Sequence, residues 1–67
     1  MTYSEMLLDY ISQRIDEADT YKKLVDAGWL IEKYCGWALT EQDEEILRFN
    51  YSLAYNDKAE KLYFQNN

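Results

Sequence analysis

The sequence predicts an all-helical domain spanning residues 1–67: a small bundle of three main helices, to which a short C-terminal fourth can be added. Three observations carry this. Apolar residues recur at spacings of three and four in three separate segments. Two of those segments open on helix-capping residues. The chain has no proline and only two glycines in 67 residues, which argues against a turn-rich β fold, flexible linkers or disorder.

The first helix is expected to begin near Tyr3. Thr2-Tyr3-Ser4-Glu5 fits a capping box, in which the Thr2 hydroxyl and the Glu5 carboxylate each satisfy a backbone N–H that a helix start leaves orphaned. At about 100° per residue, Leu7, Leu8, Tyr10, Ile11, Ile15 and Ala18 gather on one face. Glu5, Asp9 and Asp16 gather within roughly 40° on the opposite face. No glycine or proline marks the end of this helix, which falls near Asp19-Thr20.

A second helical pattern runs from about Tyr21 to Cys35, with Leu24, Gly28, Ile31 and Cys35 along one side. Trp29, Leu30 and Trp37 project to the other side beside Lys22, Lys33 and Asp26, so either both faces are covered or one binds something. Gly28 and Gly36 each cost a helix about 1 kcal/mol relative to Ala, which allows a break at either. An extended segment from Trp29 to Tyr34 is the alternative.

Thr40 is a suitable N-cap for the third helix, and Glu41, Asp43, Glu44 and Glu45 crowd the first turn, where the helix dipole favours anions. Ile46, Leu47, Phe49, Leu53 and Ala54 form the expected buried stripe, with Asn50 among them as a core polar group. Asp57 would break that stripe. A turn at Asn56-Asp57 followed by a short helix from Lys58 to about Phe64 resolves the conflict. Glu60-Lys61-Leu62-Tyr63-Phe64-Gln65 resembles the cleavage site of a potyviral protease, departing from it at Lys61 and at the following Asn66. The same residues read as helix, with Leu62 and Phe64 in the core.

A domain of this size buries only about 60% of the surface its unfolded chain exposes, so its stability as a monomer is marginal. Cys35 is the only cysteine and there is no histidine, which removes an internal disulfide and the nitrogen and sulfur ligands of a zinc site. Self-association as a homodimer, through Trp29, Leu30 and Trp37, is the expected remedy. No apolar run reaches the roughly 18 residues of a membrane span, and the N-terminus lacks the basic start of a signal peptide. A cytoplasmic protein with a free thiol is therefore expected.

Thirteen acidic side chains stand against seven basic ones, for a net charge of −6. Counted along the chain, residues 1–21 are net −4, residues 22–39 net +1 and residues 40–67 net −3. Such a field repels nucleic acid and anionic membranes and suits a basic partner. Catalysis has little to work with: Cys35 has no histidine base, and the carboxylates of the third helix sit where a solvated helix start wants negative charge. No enzyme activity, cofactor or metal is expected.

Glu5 and Asp9 are about 6 Å apart along the helix axis, comparable to successive phosphates along a nucleic-acid strand, and neither has an i,i+4 cation. With Asp16, and with help from Glu41 and Glu45, they could imitate a phosphate row. The function expected first is thus a small acidic protein-binding inhibitor, a DNA mimic of the kind phages and mobile elements encode. Its partner would be a basic, nucleic-acid-binding protein such as a nuclease, polymerase or repressor. The alternative is a helical adaptor that docks through Trp29 and Trp37, with its charge serving only solubility.

Overall fold

The computed structural model describes the backbone of residues 1–65, and the side chains of these residues apart from 58, 59 and 62–65. Three helices account for nearly all of it: α1 (Tyr3–Glu17), α2 (Tyr21–Tyr34) and α3 (Glu41–Gln65). Each begins at a threonine whose hydroxyl oxygen accepts a backbone N–H three residues on: Thr2 from Glu5 at 3.1 Å, Thr20 from Lys23 at 3.1 Å and Thr40 from Asp43 at 3.2 Å. A cap of this kind stabilises a helix by about 1 kcal/mol. The Glu5 half of the expected capping box is not made, and its carboxylate stays in solvent.

α1 stops at Ala18, whose backbone turns extended and whose side chain is buried. α2 runs unbroken through Gly28 and Trp29 to Tyr34, so neither the break at Gly28 nor the extended segment occurs. Gly36 ends it instead. Its φ of +84° lies in the left-handed region that costs other residues roughly 1–2 kcal/mol. There the chain folds back so that the Ala38 and Leu39 N–H groups both donate to the Tyr34 carbonyl at 3.1 Å. α3 continues through Asn56-Asp57 without a turn, so there is no separate fourth helix. The Asp57 side chain turns outward and pairs with Lys61 at 3.3 Å. The expected core positions Leu62 and Phe64 lie outside the described side chains.

All three helices pack against one another around Leu7, Ile11, Ile15 and Ala18 from α1 and its end, Leu24, Ala27 and Ile31 from α2, Leu39 from the connection and Leu47 from α3. Leu8, Leu30, Tyr34, Tyr51, Ala54 and Tyr55 pack on its margin. Four of the expected core positions on the first two helices differ: Tyr10 is exposed, and Leu8, Gly28 and Cys35 are only half-buried, the Cys35 thiol donating to the Glu32 carbonyl at 3.3 Å.

The rotation of α3 departs most from expectation. Of the stripe Ile46, Leu47, Phe49, Leu53 and Ala54, only Leu47 is fully buried and Ala54 half-buried; Ile46, Phe49, Leu53 and Asn50 face solvent. Three contacts with α2 fix this rotation. The Tyr51 ring sits against Gly28, Arg48 reaches Glu32 at 2.8 Å, and the Tyr21 and Tyr55 hydroxyls share a hydrogen bond of 2.8 Å. A fourth contact joins α3 to α1. The buried Ser4 hydroxyl donates to the Asp43 carboxylate at 2.6 Å and accepts the Thr40 N–H at 3.0 Å.

Candidate functional site

Two surfaces stand out, one on each side of α3. The first is built by α2 and α3. Gly28 has no side chain, and a Cβ there would come within 2.8 Å of the Tyr51 Cζ, closer than any other residue allows. Beside this close approach lies a cleft of about 390 Å³, walled by Val25, Trp29, Ile31 and Tyr51 and edged by Glu32, Arg48 and Ser52. The guanidinium at its edge is held by Glu32 at 2.8 Å and Glu44 at 3.1 Å. Those hydrogen bonds, Glu32 first, raise the Arg48 pKa still further, so its charge is permanent but already matched. Burial, then the neighbouring Tyr55, pushes the Tyr51 hydroxyl above its ordinary 10.0. Tyr21 is raised as well, foremost by its hydrogen bond with Tyr55.

Trp29 is 65% exposed and Trp37 is 69% exposed, but they do not make one surface with Leu30. Trp29 lines the cleft. Leu30 is half-buried against the core. Trp37 packs against Tyr34 with the rings tilted by 42° and their centroids 5.7 Å apart, and its indole N–H donates to the Lys33 carbonyl at 2.8 Å.

The second surface lies on α1 and on the far side of α3. Glu5, Asp9 and Asp16 are all exposed on α1. Glu41 and Glu45 are exposed on α3 as well, but at about 100° per residue Glu41 shares the rotation of Arg48 on the α2 edge and Glu45 points away from α1, so the five do not form one row. Most other acids are engaged: Asp19 with Lys23, Glu17 with Gln13, Glu32 and Glu44 with Arg48, Asp57 with Lys61 and Asp43 with Ser4. The side chains of Glu5, Asp9, Glu41 and Glu45 have no hydrogen-bond or ion-pair partner among the described residues. Ser4 and Asp43 set the starts of α1 and α3 side by side, which brings Glu5 and the first turn of α3 to the same end of the molecule.

The apolar residues of α3 that miss the core belong here too. Ile46 is 40%, Phe49 65% and Leu53 55% exposed, at the three- and four-residue spacing of one helix face. Sequence reasoning found these residues and assigned them to the wrong side. The signal that could have placed them is the competing row Leu47, Tyr51, Ala54 and Tyr55, whose tyrosines carry an apolar ring and a polar tip.

Among the described residues, no group of three or more His, Cys, Asp or Glu side chains is placed to hold a metal ion, and no helix is long and apolar enough to cross a membrane. Comparison with family models, curated proteins and solved structures gives no match for this chain.

Proposed function

We propose that this chain is a small helical inhibitor that binds a basic protein and keeps it from nucleic acid. One observation carries the reading: Glu5, Asp9, Glu41 and Glu45 are exposed carboxylates without a partner, in a protein whose remaining acids are largely engaged. Beyond the favourable place of Glu5 and Glu41 in first helical turns, worth about 0.3–1 kcal/mol each, an exposed unpaired charge attracts an oppositely charged surface over a distance of about 8 Å at physiological ionic strength. The i,i+4 pair Glu5 and Asp9 offers two anions at a phosphate-like separation, on a rigid helix that loses little entropy on binding.

The test is capture from the source cell on immobilised protein at low salt, beside the variant Glu5→Lys/Asp9→Lys. Both side chains are exposed, so the variant should lose no more than about 1–2 kcal/mol, through the helix dipole at Glu5, and circular dichroism checks that it is folded. Captured proteins should bind nucleic acid, lose it when this chain is added, and be missing from the variant's catch. An identical catch with the variant would contradict the reading.

A second reading is favoured by the Trp29 cleft. An exposed tryptophan over an apolar recess is what a partner's side chain fills at an interface hot spot. An adaptor of this kind would lose its partner on Trp29→Ala through faster dissociation, and would be indifferent to charge reversal at Glu5 and Asp9.

A further inference from the structure

We infer that the outer face of the α1/α3 pair is a docking surface for an amphipathic helix that carries an apolar ridge flanked by lysine or arginine. This rests on the proposed basic partner and specifies the element it presents.

The placement follows from the contacts between helices and the helical repeat. α2 runs antiparallel to α3, Tyr21 meeting Tyr55, Gly28 meeting Tyr51 and Glu32 meeting Arg48. The short link at residues 18–20 reverses the chain between α1 and α2. α1 and α3 are therefore parallel, and the Ser4–Asp43 contact between their first turns sets an offset of 39 residues. α2 lies against the edge of α3 that carries Arg48, Tyr51 and Tyr55. At about 100° per residue, Ile46, Phe49 and Leu53 cluster roughly 200° around α3 from that edge, counted by way of the Leu47 and Asp43 positions that face α1. The apolar stripe therefore emerges on the face turned away from α2.

On α1, Glu5, Asp9 and Asp16 lie about 100–140° beyond Ser4, which faces α3. Because the helices are parallel, that rotation brings the acidic row out on the same outer face. With the offset of 39, Glu5 and Asp9 stand level with residues 44 and 48, beside Ile46 and Phe49. Packed helix axes are about 8–10 Å apart, so one helix laid along this face reaches both the stripe and the row.

Charge selects the occupant. A second copy of the chain carries the same net charge of −6 and as a whole repels this face. Three of its cations are already paired, Lys23 with Asp19, Arg48 with Glu32 and Glu44, and Lys61 with Asp57. A basic amphipathic helix supplies both complements. It also explains why an acidic protein keeps Phe49 and Leu53 in water: charge alone would be lost in salt, whereas apolar contact holds the complex once formed.

The probe is a fluorescent synthetic helix of about 18 residues with leucines at three- and four-residue spacing and lysines along one flank, beside a twin with glutamates for the lysines. The lysine helix should bind the protein at least about tenfold more tightly than its twin. Phe49→Asp and Glu5→Lys/Asp9→Lys should each weaken it by about tenfold or more, the second effect shrinking as salt is raised. Circular dichroism checks that each variant is folded. If Phe49→Asp binds as the parent does, the apolar stripe is not part of the site, although the basic-partner reading stands. If only Glu5→Lys/Asp9→Lys is silent, the acidic row fails and the basic-partner reading falls with it. Failure of the lysine helix to bind overturns the inference, as does a sedimentation dimer that Phe49→Asp dissolves, which would make a second copy the occupant.

Discussion

α1 and α3 run side by side and share one core, but α1 turns its leucines and isoleucines inward whereas α3 leaves Ile46, Phe49 and Leu53 in solvent. In α1, Leu7, Ile11 and Ile15 are buried, and the side chains left exposed beside the acids are Tyr3, Met6 and Tyr10. In α3, Leu47, Tyr51, Ala54 and Tyr55 make one stripe and Ile46, Phe49 and Leu53 another, and a three-helix bundle can cover only one of them. The polar and aromatic contacts decide between them. Rotating Phe49 inward would break Ser4–Asp43, Arg48–Glu32 and Tyr21–Tyr55 together and move Tyr51 off Gly28. A helix that keeps a spare apolar face in a chain this small has a surface to give to another molecule.

The difference can be broken by truncating one residue from each stripe. Leu47 is fully buried, so Leu47→Ala should cost about 2–5 kcal/mol in chemical denaturation, while Phe49→Ala should stay within about 0.5 kcal/mol. Ile11→Ala, at an equally buried site of α1, belongs with Leu47. Equal costs at 47 and 49 would mean that both stripes are buried. The Ser4 contact comes next. Ser4→Ala leaves the Asp43 carboxylate and the Thr40 N–H each short of a partner, for a loss of about 1–3 kcal/mol, whereas Ser4→Thr should recover part of it.

These effects separate what the sequence shows about the two helices. α1 was legible because its hydrophobic period, its Thr2 cap and its acidic face all agree. The third helix was legible at its start, through Thr40 and the acids of the first turn, but not in its rotation. A wheel that counts Tyr51 and Tyr55 as half-polar favours Phe49 and Leu53, and nothing local reveals that Gly28, on another helix, leaves room for a tyrosine ring. Ser4 was hidden for a related reason, since its partners are 36 and 39 residues away. Thr20, in contrast, could have been read as the cap of α2 from its position before an apolar-periodic run. At the candidate site, Glu5 and Asp9 were legible because lack of an i,i+4 cation is a local property. Their neighbourhood with Phe49 depends on helix packing and was not.

Smaller effects sharpen the same account. At Gly36 a Cβ meets nothing within 4 Å, so Gly36→Ala isolates the cost of its left-handed backbone, about 1–2 kcal/mol in the same denaturation assay. The tyrosine contacts between α2 and α3 should show in pH dependence. Tyr21 and Tyr51 are held above their ordinary 10.0 in the folded protein, so the stability this reflects is complete below about pH 10 and is lost as pH rises through the raised values. Melting temperatures should therefore fall above about pH 10, less steeply in Tyr21→Phe. Arg48→Ala, which removes exposed ion pairs with Glu32 and Glu44, should cost at most about 1 kcal/mol.

The central claim, that the spare face of α3 and the acidic row of α1 form one binding surface, is tested most directly by NMR shift mapping. Isotope-labelled protein would be titrated with the lysine-flanked helix. The account predicts that Glu5, Asp9, Ile46, Phe49 and Leu53 shift together while Gly28, Trp29 and Tyr51 stay in place. Shifts confined to the Trp29 cleft, or to the acids with none at Phe49, would contradict it.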